Sequence, residues 1–331
     1  MDPVSQGAFG AIFAQTISNK KKLIAGSILG CLAGLAPDLD VIIRSSTDPL
    51  LKLEFHRQFT HSLVFIPIGA LIVALFTRIF FKKYLSWKQS YLFCLFGYAT
   101  HGLLDACTSY GTLLFWPFSY ERISWSNISI IDPFFTVPLI ILVILGLYLK
   151  KIYFSRLAVI WALSYLLLGV ILNEKALNIG KQLAEKRGHN ITMINAKPTF
   201  ANLFLWKVIY ENKGIFYTDG IRIFPTIKII EGDNIPKLDL SKDFLWLNPE
   251  SQQAIDIRRF SWFSQNHLVI SPKNKNLIVD VRYSILPNQI SGLWGIELNP
   301  EAGFVEHAKF ISNRNKSEDR IKVLINMIID G

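Results

Sequence analysis

The sequence predicts a mainly α protein: a polytopic transmembrane helical bundle over residues 1–172, followed by a small extracytoplasmic α+β domain over residues 173–331. Three observations predict it. Hydrophobic residues make up 51% of the chain but are unevenly spread: apolar runs with thin charge dominate to about residue 172, and charges, turns and short alternating segments take over from Asn173. Six apolar runs in the first part have the composition of membrane helices. The basic residues of that part gather at the ends of the runs and favour alternate ends.

The runs cover residues 3–18, 23–36, 62–77, 90–106, 133–149 and 157–172. Each falls short of the roughly 20 residues that cross a hydrocarbon core of about 30 Å. The last four are read as spans. The first two either re-enter or cross where the surrounding protein thins the bilayer and buries their ends. Met1 and Asp2 precede the first run and Lys20, Lys21 and Lys22 follow it, the reverse of a secretory signal. Cys31, Cys94 and Cys107 lie in or beside apolar runs and give neither a disulfide framework nor a zinc spacing.

Taking the runs as alternating crossings sorts the charges. One side receives Lys20, Lys21, Lys22, Arg78, Lys82, Lys83, Lys88, Lys150, Lys151 and Arg156, whereas the other receives only Arg44, Lys52, Arg57 and Arg122. That asymmetry marks the first side as cytoplasmic and accounts for the net charge of +10 better than nucleic-acid binding does. Every acidic residue of the region falls opposite: Asp2, Asp38, Asp40, Asp48, Glu54, Asp105, Glu121 and Asp132, with His56, His61 and His101. The same alternation places the segment after Asn173 outside the cytoplasm.

Four separate stretches thus converge on one membrane face: "GLAPDLD" (34–40), "FHRQFTHS" (55–62), "HGLLD" (101–105) and "IIDP" (130–133). His101 and Asp105 are four apart in a helical segment and share a face. Both suit a metal ion; a plain His–Asp hydrogen bond stitching the bundle explains the pair equally. Asp38 and Asp40 follow Pro37, which ends the preceding run, so a carboxylate-rich turn is their alternative reading. His56 and His61 are five apart, which one helix would splay by about 140°. His61 is therefore expected at the entry of the run 62–77, with Thr60 or Ser62 as cap, and His56 in the loop before it. Asp132 precedes Pro133 in an ordinary cap position. Co-location tips the balance, because neutral imidazoles with carboxylates suit zinc, manganese or iron, and hydrolytic metal sites use such ligands to lower the pKa of water.

The opening "MDPVSQGAFGA", then "AGLAPDLDV", "FHRQFTHSLVF", "HGLLDACTSYGTLLFWPFSYER" and "SIIDPFFTVPLI" together resemble the bacterial membrane-bound metal-dependent hydrolase family, the YdjM-like proteins, in order through residues 1 to about 140. The remainder is similar to longer members with a C-terminal soluble part. The resemblance implies a multi-pass protein of the bacterial cytoplasmic (inner) membrane whose motif His and Asp residues bind divalent metal. More distantly, His101 and Asp105 with the upstream acids and histidines resemble the zinc-dependent phospholipase C and single-strand nuclease superfamily, which cleaves phosphate esters. That likeness implies Asp38 or Asp40, His61, His101 and Asp105 as ligands, with Asp105 a bridge between two metals. Many members carry a Thr-His pair where this chain has Ser5 and Gln6, while others carry Gln as here; a Gln carbonyl is a weaker zinc ligand than imidazole, so the expectation is that one metal position is lost or altered. The later histidines of the soluble enzymes have no match. One or two ions, zinc first, is the resulting expectation.

In the tail, "EKALNIGKQLAEKRG" (174–188) reads as helix, and 203–224 as short strands separated by Asn212-Lys213-Gly214 and Asp219-Gly220, both hairpin signals. Further strands are expected at 227–230, 267–271, 277–286 and 292–299, with a helix starting near Asn248, Pro249 and Glu250 and running through Ser261. His189, His267 and His307 have no acidic partner at ligand spacing and read as surface or edge residues; Trp206, Trp246, Trp262 and Trp294 read as core. The tail is expected to cover the site or select substrate.

The expectation is a metal-dependent hydrolase open at the outer membrane–water interface, cleaving a phosphate ester of a lipid or lipid-linked substrate. Asp38, Asp40, His56, His61, His101, Asp105 and Asp132 are the candidate metal ligands, with Asp38, His101 and Asp105 as the catalytic candidates. The bilayer is the partner implied. The alternative is a non-enzymatic membrane scaffold or transporter with a structural metal or polar cluster, although no repeated broken helices are seen. A nucleic-acid enzyme is disfavoured, since no basic stripe with interleaved aromatics is present.

Overall fold

Six helices form on the six apolar runs. The structure, a computed structural model, describes residues 1–313 and 318–329. The chain divides into two units: Met1–Ile42 with Phe55–Ile171 and Phe200–Asn202, and Ile43–Glu54 with Leu172–Thr199 and Leu203–Gly331. The loop Ile43–Glu54 therefore belongs with the second unit, although residues on both sides of it belong to the first.

In the first unit α1 (Pro3–Thr16) starts on Asp2, whose carboxylate accepts from the amides of Val4 and Ser5, with Pro3 in the first turn. α2 (Leu23–Leu35) runs into a 3₁₀ turn, Ala36–Ile42. After the short α3 (Leu51–Phe55), which ends the loop assigned to the second unit, the 3₁₀ turns Phe59–His61 and Leu63–Phe65 precede α4 (Ile66–Phe81), the last of these turns capped by Ser62. α5 (Trp87–Ala106) opens on a Ser86/Gln89 capping box, and α6 (Pro133–Leu149) on Asp132 and Pro133. α7 spans Tyr153–Lys186. The apolar run 157–172 and the helical stretch 174–188 are thus one helix, because no proline interrupts them.

Three of these segments are long and apolar enough to cross a membrane: Leu23–Ile42, Leu63–Phe81 and Tyr153–Lys186; Pro133–Leu149 is a shorter apolar helix of 17 residues. α1 has 14 residues, and the 20-residue α5 carries the polar His101 and Asp105. α5 is packed into the unit. A Cβ on Gly97 would lie 2.4 Å from the Gly30 carbonyl oxygen of α2, and one on Gly10 of α1 would lie 2.4 Å from that same oxygen. Glycine at these crossings lets three backbones approach to near contact, as small residues do in membrane bundles. Ala14, Leu29, Ala33, Phe93, Cys94 and Tyr98 fill the space around the crossing.

The second unit contains two antiparallel sheets. In the first, β1 (Met193–Pro198), β2 (Leu205–Asn212), β3 (Ile215–Arg222) and β4 (Lys228–Ile230) pair in sequence, and β5 (Asn234–Pro236) pairs with β3. α8 (Leu240–Asp243) and α9 (Gln252–Phe263) follow, α9 capped by Ser251. The second sheet takes β6 (Leu268–Ser271), β7 (Asn274–Asp280), β8 (Trp294–Glu297) and β9 (Lys309–Ser312) in order, and α10 covers Glu318–Ile329.

The β2–β3 hairpin turns at Lys213 and Gly214, both with positive φ (50° and 74°), as a two-residue turn requires. Asp219 and Gly220 do not make a second turn. Both lie inside β3, where Arg187 binds Asp219 at 2.7 Å and Gly220 packs under Pro287 and Ile230. The strand expected at 277–286 begins earlier and stops at Asp280, which is buried in a bidentate contact with Arg282. Trp206 and Trp294 are core, while Trp246 is 43% exposed.

Of the three tail histidines, His267 differs from the surface or edge residue expected. His267 is buried: its Nδ1 faces the carbonyls of Ser264 and Gln265, and its Nε2 faces the Asn195 amide at 2.9 Å. Burial, reinforced by the Arg282 charge, pushes its pKa down to about 4. His307 does have an acidic partner, Asp256, at 2.9 Å. Asp256 also binds Arg259, which reaches Asp48 at 2.8 Å and Glu54, fastening the loop Ile43–Glu54 to α9.

Candidate metal centre

His101 sits in the last two turns of α5, four residues before Asp105, so both point from one face. The Gly34 carbonyl, one of the four that α2 leaves unpaired at its end, lies 2.6 Å from His101 Nδ1. A carbonyl only accepts, so Nδ1 carries the proton and the lone pair of the neutral imidazole is on Nε2. His61 ends the 3₁₀ turn Phe59–His61. Its Nδ1 faces Thr60 Oγ1 at 2.9 Å and Asp40 Oδ2 at 3.3 Å, and Thr60 gives its own hydroxyl proton to Asp40. His61 Nδ1 is therefore the donor and its Nε2 again holds a lone pair.

The two Nε2 atoms face each other at 3.0 Å. Asp38 Oδ1 lies 3.5 Å from that of His61 and 3.4 Å from that of His101, and Asp105 Oδ2 lies 3.3 Å and 3.7 Å from the same two atoms. Four acceptor atoms thus surround one point. Such a cup needs a cation, or a proton on an imidazole, to fill it. In a regular tetrahedron with metal–ligand bonds of about 2.0–2.2 Å, ligand atoms stand about 3.3–3.6 Å apart. The separations here bracket that range. The side chains of His61, His101 and Asp105 are fully buried, and Asp38 is 27% exposed.

Outer contacts fix these four side chains, as a metal site requires of its ligands. Gln6 donates from Nε2 to Asp105 Oδ1 at 2.9 Å and so turns Oδ2 toward the cup. The Met1 amino nitrogen contacts the same Oδ1. A Cβ on Gly102 would lie 2.2 Å from the His61 carbonyl oxygen, so glycine lets the His61 turn seat against α5. Tyr98 donates to the Thr60 carbonyl at 2.9 Å.

Asp38, Asp40 and His56 form a second group with ligand atoms in mutual reach. Asp38 is shared by the two groups, whereas the likeness to the soluble enzymes pointed to Asp105 as the bridge. Asp40 Oδ1 binds His56 Nδ1 at 2.7 Å, and Asp40 Oδ2 accepts from the Arg57 amide and Thr60. In the 3₁₀ turn Asp38 and Asp40 therefore take separate duties.

Six of the seven ligand candidates are brought together; Asp132 is not. It caps α6 through the amides of Phe134 and Phe135 and accepts from the Tyr165 hydroxyl at 2.9 and 3.0 Å. Sequence reasoning missed three residues: Gln6 as a hydrogen-bond donor to Asp105, Thr60 as the relay between Asp40 and His61, and Arg57, whose Nε lies 3.0 Å from Asp105 Oδ2. The one available signal for Arg57 was a cation placed among acids.

The profile of the YdjM inner membrane protein family matches residues 1–176. The curated protein "Inner membrane protein YbcI" of Escherichia coli (strain K12) is 31% identical over 157 residues, which cover 45% of this chain and 82% of that protein. No solved structure matches.

Proposed function

The chain belongs to the YdjM inner membrane protein family of bacterial inner membrane proteins, and from that premise we propose that it is a metal-dependent hydrolase acting on a phosphate ester of a lipid or lipid-linked substrate. The observation that carries the reading is the convergence of two imidazole lone pairs and two carboxylate oxygens in one buried cup.

Asp38, His61, His101 and Asp105 would hold the ion, zinc by the ligand spacing, with manganese or iron also compatible with the donor set. When bound, a divalent ion there supplies Lewis acidity and lowers the pKa of water. The chain's own residues do the rest. Gly34, Gln6, Thr60 and Asp40 hold the ligands in place before any ion arrives. Asp38 lies on the accessible edge and is the point of entry. His56, oriented by Asp40 through Nδ1 and 20% exposed, holds or moves a proton at Nε2. α1 and α6, at 14 and 17 residues, fall short of a full crossing and support a site near headgroup depth.

The basic residues at the opposite helix ends support a site and a C-terminal domain outside the cytoplasm. A reporter fused after residue 331 is expected to be active only there; cytoplasmic activity reverses the orientation.

A second reading is a scaffold with a structural metal. It draws on the ligand count: four protein ligands close a tetrahedral site, and catalytic zinc keeps a position open. Metal analysis of the purified chain tests the shared premise. Wild type is expected to hold about one ion, and His101→Ala and Asp105→Ala markedly less. Equal content in all three removes the ligands. Hydrolysis of phosphatidic acid that stops on chelation favours the enzyme, and its absence with a tightly held ion favours the scaffold.

A further inference from the structure

We infer that Arg57 is an anion-binding residue of this site, taking an oxyanion that presents two oxygens on the Nε/Nη2 edge of its guanidinium. The inference rests on the metal reading of the neighbouring cluster and deepens it by naming the chemistry of the group recognised.

The backbone is the first observation. Arg57 has φ +66° and is 5% exposed, a left-handed conformation that a long-chain L residue rarely adopts unless its surroundings impose it. Two contacts impose it here: Asp40 Oδ2 accepts the Arg57 amide at 3.0 Å, and the Arg57 carbonyl accepts from the Leu113 amide at 3.0 Å. The carboxylate that orients His56 and His61 thus also sets the direction of the Arg57 side chain.

The guanidinium is the second. It lies over the Tyr110 ring at 4.9 Å. Its hydrogen bonds, to Thr108 Oγ1 at 3.0 Å and the Asp105 carbonyl at 3.5 Å, run from Nη1, and neither uses Nη2. Nε is buried without a hydrogen-bond partner among the described residues. Asp105 Oδ2 is 3.0 Å away, but the pair is misaligned, and that oxygen also makes no hydrogen bond. Oδ2 is instead turned to the two Nε2 atoms of the cup.

Charge completes the argument. A divalent ion in the cup is balanced by Asp38 and Asp105, and the oxygens of Asp40 are committed to His56, the Arg57 amide and Thr60. Among the described residues the carboxylate near the Nε/Nη2 edge is Asp105, whose Oδ2 lies 3.0 Å from Nε without hydrogen-bond alignment. That edge is the fork that matches two oxygens of a phosphoryl or carboxylate group, a geometry that lysine cannot reproduce. Its position beside Asp105 Oδ2 puts an anion held there next to the metal ligands.

The test titrates inorganic phosphate, and separately acetate, into the purified full chain by calorimetry, with and without zinc. Wild type is expected to bind phosphate, Arg57→Gln at least tenfold more weakly, and Arg57→Lys in between, with zinc content unchanged in both variants. Acetate binding as tightly as phosphate assigns the edge to carboxylates; phosphate alone assigns it to phosphoryl groups. Arg57→Lys keeps a charge beside Asp105 and decides the matter if Arg57→Gln does not fold. Phosphate affinity within twofold of wild type in the folded variants, or no phosphate binding by wild type, overturns the inference. A wild type that holds no zinc sinks the metal reading and with it the charge balance that frees the Arg57 edge, whereas a zinc-loaded wild type that binds no phosphate sinks the inference alone.

Discussion

Gly97→Ala, a change of one methyl group, should disturb the proposed metal cup from a distance. Its Cβ would stand 2.4 Å from the Gly30 carbonyl oxygen, where ordinary contact begins at 3.4 Å, so α5 must recoil from α2 by about 1.0 Å. His101 rides on α5 four residues later, and its partner Gly34 rides on α2. A recoil of that size along the contact stretches the 2.6 Å Nδ1 to carbonyl separation to about 3.6 Å, beyond a hydrogen bond. Overpacking costs about 1–3 kcal/mol and the lost hydrogen bond about 0.5–1.5 kcal/mol, together roughly 2–4 kcal/mol of stability. Losing the outer contact of a metal-ligating histidine lowers metal affinity about 10–100-fold. Thermal unfolding in detergent and zinc competition against a chelator measure the two effects. Wild-type stability with unchanged zinc affinity would refute the link from glycine crossing to ligand geometry.

Asp132→Ala should leave the zinc content untouched while destabilising the chain by about 2–4 kcal/mol, since it removes the α6 cap and strands the buried Tyr165 hydroxyl; loss of zinc in this variant would return Asp132 to the site. His267, with a folded pKa of about 4 against 6.5 unfolded, is held neutral, so the unfolded chain binds the extra proton between those values. The stability it contributes is full above pH 6.5 and is lost as pH falls toward 4, up to ~3 kcal/mol. Wild-type and His267→Gln unfolding, followed by tryptophan fluorescence across that window, should differ in slope, and parallel curves would remove the assignment.

What the sequence made legible is what local spacing or segregation encodes. His101 and Asp105 are a helical i, i+4 pair, and the fall of acids and histidines on one side of alternating runs was enough to gather Asp38, Asp40, His56 and His61 with them. Asp132 obeyed the same segregation but lies apart, because it caps α6 and meets the Tyr165 hydroxyl rather than the cup. Arg57 could not be read as a site residue, since its direction depends on a left-handed backbone set by Asp40 and Leu113, both distant in sequence. Asp219-Gly220 carries a turn signature, yet β3 continues through it once Arg187 neutralises the aspartate. His267 shows the same limit: nothing in its neighbours foretells burial under β1.

Whether the cup is built for chemistry or only for stability turns on Asp38. Of the four candidate ligands it alone has an exposed side chain, at 27%, whereas His61, although also on a 3₁₀ turn, is fully buried where that turn seats against Gly102. Three fully buried ligands, two imidazoles and one carboxylate, are the set that catalytic zinc sites use, leaving the fourth position to water or substrate. Asp38→Ala is therefore expected to keep about one zinc per chain at saturating metal, with a weaker affinity. Asp105→Ala behaves differently, because it removes a fully buried donor of the cup and the acceptor of the Gln6 amide, and is expected to lose the zinc. A structural site would instead need all four donors, and Asp38→Ala would then release zinc as completely as Asp105→Ala does.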